Sequence, residues 1–487
     1  MQPTLEAIEE LAARARSGAV VLSHQRDALR ARYEHARAAS AALGTLVAEA
    51  HTQIQHERAR EALDRAWAAE PATITAGPEH APRAIAIASL ESVVTLERED
   101  ARRRAIWSAA TARAGDHFAE ARAAVDSLRD CAASLSITPT DALLDRLGLG
   151  HAPAASAVDA VLATTDGPFE ELDAWALREC GLTERVVDAR RRSLAFDDRL
   201  RSLSQPRASA QIALGDRGAS CARWIARVGL GDAMAKIVDR VESSSPDATR
   251  IRVRIDREGV RVVLVGDEDA TVLGGARLAA AWAEALALVL PNEPSIAARA
   301  GVDRIHRTAA HALGKALFFE RPFVTRELGV DPAQSAVVAR AGLHGALFEL
   351  RRSCAEVAFA RAVLGAQPEL ATRLRDAHVR AVFSAPDPIW ASHVAAATLE
   401  RRAEANVLGA LVEATLHARL RDGFDEDWFR NPRAGEALAS ELAKLRAAGA
   451  IAWLREASRA ENDSDAIAHA SVAVRRRVSE AFERATR

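Results

Sequence analysis

The chain has 487 residues, 49% apolar and 27% charged, with a formal net charge of −2. That length holds two to four ordinary domains or one large helical body with a sizeable core. The near-neutral balance excludes a nucleic-acid binder working by counterion release, and no run approaches the 18 apolar residues of a membrane span.

Of the 65 basic residues, only Lys236, Lys315 and Lys444 are lysines, the mark of a GC-rich bacterial coding sequence. The four cysteines, Cys131, Cys180, Cys221 and Cys354, are widely spaced and form no Cys-x-x-Cys pair. They read as buried thiols rather than a disulfide framework or thiolate zinc site. The N-terminus lacks a basic region followed by an apolar one, so the expected location is cytoplasmic.

Ala, Leu, Arg and Glu at three- and four-residue apolar spacing predict helix through most of the chain. Residues 20–69, with no Pro and only Gly44, predict one very long helix or a helical hairpin. Residues 82–135 predict two more helices around Gly115. A short helix follows Pro139-Thr140-Asp141. The small, turn-rich run at 148–156 marks a boundary, with further breaks at 204–218 and 243–247.

The β signal comes next. Arg250-Ile251-Arg252-Val253-Arg254-Ile255 alternates polar and apolar residues, and Val260–Val265 resumes after Asp256-Arg257-Glu258-Gly259. This predicts a hairpin. From Asp269 onward the pattern is helical, interrupted near Pro291–Pro294, Pro322, Pro332, Pro386–Pro388 and Pro432. The division expected is an N-terminal helical region (1–150), an intermediate helical region (151–248), a core with the hairpin and a helical bundle (249–462), and a C-terminal helix (463–487).

The segment Gly423-Phe424-Asp425-Glu426-Asp427-Trp428-Phe429-Arg430-Asn431-Pro432-Arg433-Ala434-Gly435 resembles the C-terminal signature of the oligoendopeptidase and thimet-oligopeptidase family of zinc metallopeptidases. Leu408–Leu416 and Arg102-Arg103-Arg104-Ala105-Ile106-Trp107 are similar to other stretches of that family. The resemblance spans residues 85–460. It implies a mainly α fold, a zincin-like scaffold of two helical lobes around a channel, with a small hairpin or sheet at the cleft.

The family's chemistry needs a His-Glu-x-x-His helix, whose two His bind zinc from one face and whose Glu activates the metal-bound water. A third ligand, a Glu, follows 25–35 residues later. No His-Glu-x-x-His occurs in this chain. In the leading register, which follows the hairpin, Gly274, Gly275 and Leu278 stand at the His, Glu and His positions, and Arg307 at the third ligand. Arg402 and Asn406 stand where the family has oxyanion-stabilising Tyr; the chain's one Tyr is Tyr33. A second register reads Arg307-Thr308-Ala309-Ala310-His311-Ala312-Leu313-Gly314 as a decayed His-Glu-x-x-His helix that keeps one His.

Both registers imply a degenerate site with no catalytic residue, no metal and no cofactor. The leading expectation is a pseudopeptidase that binds peptide or protein or serves in assembly, with no nucleic-acid or membrane partner. Alternatives are a divergent zinc metallopeptidase drawing on His306, His311 and a nearby carboxylate, and an enzyme of another class reusing the channel. The sequence names no partner and fixes no oligomeric state. His306 and His311, five apart, lie about 140° apart around a helix and read as surface or satisfied core residues. Asp425-Glu426-Asp427 reads as a turn. Arg351-Arg352, Arg401-Arg402 and Arg475-Arg476-Arg477 read as solvated helix faces with acidic partners. No phosphate-binding Gly-rich loop and no Gly-x-Ser-x-Gly elbow occurs.

Overall fold

The computed structural model describes residues 72–74, 83–85, 151–179, 223–242, 250–256, 259–265, 272–290, 304–364, 369–384 and 402–483. These are mainly helical. Strands β1 (Ala72–Ile74) and β2 (Arg83–Ile85) pair antiparallel. The long helix expected over 20–69 and the short one after Pro139 lie outside the described residues. Of the helices expected over 82–135, the described part, 83–85, is strand instead. Cys131, Cys180 and Cys221 also lie outside, whereas Cys354 is buried and desolvation pushes its thiol up to about 12.

Helix α1 (His151–Glu179) begins inside the run read as a boundary. After the short α2 (Gly231–Met234) come β3 (Ile237–Glu242), β4 (Arg250–Asp256) and β5 (Gly259–Val265). The hairpin forms as expected: β4 and β5 pair antiparallel from Asp256↔Gly259 to Arg250↔Val265. β3, which alternates too weakly to read in advance, joins parallel to β5, giving the order β3-β5-β4. Ile237, Val260 and Val262 are buried, with Ile251 and Val253 packed on the same core.

The remaining helices are α3 (Val272–Val289), α4 (Arg304–Leu317), α5 (Arg321–Arg326), α6 (Pro332–Leu364), α7 (Leu370–Val382), α8 (Arg402–Phe424), α9 (Pro432–Ala448), α10 (Ala450–Ser458) and α11 (Asp463–Glu483). Pro322, Pro332 and Pro432 each fall in the first turn of a helix, where the missing N–H costs nothing and the fixed φ is already helical. Asp331 accepts from the Ala333 amide at 2.7 Å, Asn431 from Arg433 at 3.1 Å and Asn462 from Asp465 at 2.9 Å. These caps explain why α6, α9 and α11 start where they do. No helix among the described residues is long and apolar enough to cross a membrane.

α3 and α4 pack side by side. Gly314 makes this possible, because a Cβ there would lie 2.5 Å from the Ala279 carbonyl oxygen and 2.7 Å from the Ala283 Cβ. α8 packs on the other side of α4, α6 lies against α7 and α1, and α11 against α1 and α8. The Gly423–Gly435 segment leaves α8 through Asp425 at φ 62° and makes a 3-10 turn at Trp428–Arg430. It buries Trp428 and Phe429 completely, while Arg326 pairs with Glu426 and Asp427 on the turn before them.

Arg351 is not a solvated side chain. It has no exposed surface. Its guanidinium donates to Asp166 at 2.6 Å, to the Thr165 hydroxyl at 2.8 Å, to the Leu162 carbonyl at 3.3 Å and to the Ala381 carbonyl. The rings of Phe169 and Phe383 flank it, with centroids at 4.8 and 5.2 Å. One cation thus ties α6 to α1 and to the end of α7. A planar guanidinium on a helix packed on both sides can satisfy itself inward, which the Arg-Arg spacing could not reveal.

Arg351→Ala leaves Thr165 and the Leu162 and Ala381 carbonyls without this donor and empties the space between two rings. It is expected to cost about 3–5 kcal/mol in urea denaturation. Asp166→Asn, at a half-exposed position, is expected to cost less than about 1 kcal/mol. Equal losses for the two would contradict this account of the pin.

Candidate functional site

A cavity of about 320 Å³ opens among α4, α6, α8 and α11. Small side chains create its volume: Ala312 and Ala316 from α4, Ala336 and Ala339 from α6, Ala410 and Ala414 from α8. One end is polar, with Thr308, His311 and Lys315 of α4, Glu349 and Ser353 of α6 and Asn406 of α8. The other end is closed by ion pairs between α8, α11 and the α4–α5 connection.

At the polar end, Glu284 of α3 is the organising group. It sits in an otherwise apolar stretch that contains Trp282, Ala285, Leu286 and Leu288, all buried. Burial alone would raise its pKa; His311 and Arg307 overcome this and hold it below the usual carboxylate range. Arg307 donates to its Oε1 from Nε at 3.0 Å and Nη2 at 2.5 Å. The other oxygen, Oε2, lies 3.4 Å from His311 Nδ1. His311 keeps 45% of its side chain accessible, against 18% for Glu284. Lys315, one turn further along α4, reaches Glu349 at 2.6 Å. Desolvation opposes ionisation of Glu349, and Lys315, then Arg352 and His311, override it to lower its pKa. Asn406 donates to the Ser353 hydroxyl at 3.3 Å.

At the far end, Glu320 lies 2.7 Å from His417 Nε2 and accepts from Arg477 at 3.3 Å, and Arg477 also pairs with Glu413. Arg421 pairs with Glu480, which Arg476 also meets at 2.9 Å. Desolvation would raise the Glu320 pKa, but His417, Arg477 and Arg421 bring it below the ordinary value. Arg477 is therefore not a solvated surface charge. It sits half-buried where α11 meets the cavity.

The sequence-predicted positions divide in two. Gly274, Gly275 and Leu278 are buried on α3 and none of them lines the cavity; a Cβ on Gly275 would stand 2.6 Å from the Phe318 ring. Arg307 turns to Glu284. Asn406 does line the cavity; Arg402 begins α8. From α4 the cavity receives Thr308 and His311 instead. Glu284 was missed from sequence. Its signal is that α3 carries only one other charged residue, Arg277.

The zinc that the family resemblance implies does not fit these donors. Arg307 and Lys315 stand one turn before and after His311 on the same face of α4. Each already neutralises the nearest carboxylate, so a dication would meet two fixed cations. Among the described residues no three His, Cys, Asp or Glu side chains converge as a metal-holding group. His306, named with His311 as a substitute ligand, is 1% exposed and points away from the cavity lining.

No protein-family profile and no curated protein matches the chain. Solved structures do. PZ peptidase A, determined with an inhibitor, superposes with a TM-score of 0.62 at 11% identity, over 98% of this chain and 85% of that one. An oligoendopeptidase-F from Enterococcus faecium gives 0.54 at 10% identity, over 95% and 79%. The fold is therefore the mainly helical oligoendopeptidase fold. At such identity the likeness is one of fold.

His306 has no hydrogen-bond partner on either ring nitrogen. Desolvation, with Arg446 nearby, lowers its pKa to about 4 from 6.5. Above pH 6.5 the ring is neutral in folded and unfolded chains alike. As pH falls from 6.5 towards 4, only the unfolded chain takes up the proton, so stability falls, by on the order of 3 kcal/mol in all. His306→Leu is expected to flatten the urea-stability profile between pH 6.5 and 4.5; an unchanged slope would contradict the assignment.

Proposed function

We propose that this chain is an oligopeptidase-like protein without zinc-dependent peptidase activity that uses the cavity between α4, α6, α8 and α11 to hold a peptide or a segment of a partner protein. One observation carries the reading. The helix that walls the cavity lines it with Thr308 and His311 of the stretch Arg307-Thr308-Ala309-Ala310-His311, whereas none of Gly274, Gly275 and Leu278 reaches it, which favours the second of the two registers. In that register Arg307 stands for the first His, Thr308 for the base and His311 for the second His. Ala336, 25 residues beyond His311 and lining the same cavity from α6, stands at the spacing of the third ligand. Asn406 stands for an oxyanion donor. Loss of base, ligand and counter-charge removes metal-activated water as a nucleophile. The mixed lining, apolar in the middle and polar at both ends, suits a peptide.

Two measurements test this. Chelator should leave the melting temperature unchanged and added zinc should not raise it; a zinc-dependent rise of several degrees would reverse the reading, since specific binding stabilises the folded state. Short fluorogenic peptides should not be cleaved.

The register has its own test. Arg307→His with Thr308→Glu and Ala336→Glu should fold and bind zinc at one equivalent. Gly274→His with Gly275→Glu and Leu278→His places bulk and charge against Phe318 and should cost about 3 kcal/mol or more without binding zinc. The opposite pattern restores the leading register.

A further inference from the structure

The Glu284–His311 pair is more than a strut between α3 and α4. We infer that His311, held by Glu284, is a metal-independent general base facing the cavity, and that the site acts on small apolar esters.

The Glu284 carboxylate is ionised, and Arg307 occupies Oε1 with two N–H groups. Oε2 lies 3.4 Å from His311 Nδ1, which can donate to it only as the Nδ1–H tautomer. A proton on Nδ1 facing a carboxylate leaves the second ring nitrogen as a lone pair. A carboxylate that orients a His, which in turn meets the reactants, is the arrangement that general-base catalysis requires. The His is accessible while its carboxylate is largely covered, so the base meets what enters the cavity and its partner does not. The other charges facing His311 are Lys315 on its own helix and Glu349 on α6, and these two neutralise each other. The wall beside it is Ala312, Ala316, Ala339 and Leu343, which suits a short aliphatic acyl group. This inference rests on the cavity and the pair, not on the peptide-holding reading.

The step balances. His311 takes a proton from water as the water oxygen bonds to the ester carbonyl carbon. The tetrahedral intermediate expels the alcohol oxygen, the carboxylic acid forms, and the imidazolium returns its proton to the leaving group or to solvent.

The probe is 4-nitrophenyl butyrate, hydrolysed by the whole chain in the presence of EDTA. Release of 4-nitrophenolate above the protein-free rate is expected. His311→Ala should lower kcat by roughly a hundredfold, and added imidazole should restore part of it, beyond what imidazole does without protein. Glu284 is a positioning residue: Glu284→Gln should lower kcat by about tenfold with KM unchanged. His469→Ala, exposed on α11, should leave the rate alone. Equal rates for wild type and His311→Ala, or a His311→Ala loss that imidazole does not rescue, would overturn the inference while leaving the peptide-holding reading intact. Loss of the wild-type rate in EDTA would overturn both.

Discussion

A half-buried carboxylate on an otherwise apolar helix sets the terms for the centre of this molecule. Glu284 must be neutralised where it stands, because desolvating a lone charge costs far more than one ion pair returns. Arg307 meets that requirement. Because Arg307 is on α4, it also fixes the rotation of α4 about its axis. With Arg307 turned to α3, His311 and Lys315 follow on the same face, and Thr308, Ala312 and Ala316 fall to the cavity wall. The character of the cavity thus descends from one charge on a neighbouring helix.

Close packing makes that arrangement possible. α3 and α4 approach until Gly314 faces the Ala279 backbone, a distance any side chain would forbid. Bringing α4 towards α3 draws it back from α6, and the Ala-rich lining of α6 and α8 leaves that space open. The ion pairs of Glu320, Glu413 and Arg477 then close the end with groups that remain charged. The result is a cavity with polar ends and an apolar middle.

Much of this was legible in sequence. The hairpin announced itself by alternation, the helices by their three- and four-residue apolar spacing with breaks at prolines, and the fold by the Gly423–Gly435 segment whose Trp428 and Phe429 are buried. The site was harder to read. The register that follows the hairpin directly places the lost motif on α3, at Gly274, Gly275 and Leu278, whereas the register proposed above places it on α4. The structure puts those residues in the core, next to Phe318. Choosing between two helices of similar composition requires knowing which one faces empty space, and that is a property of their rotation. Arg351 failed to declare itself for a related reason: local spacing cannot show that Asp166, 185 residues earlier, comes to meet it. His306 is the converse case, a polar side chain that the core covers without giving it a partner.

The Arg351 pin bears on how the chain acquires its shape. A lysine in an apolar setting can shed its proton and wait; a guanidinium cannot. A half-formed structure that docks α6 before α1 arrives leaves that permanent cation facing water, so α6 gains the pin only when α1 covers it. The two helices are separated by well over a hundred residues, and closing such a loop is slow compared with forming either helix.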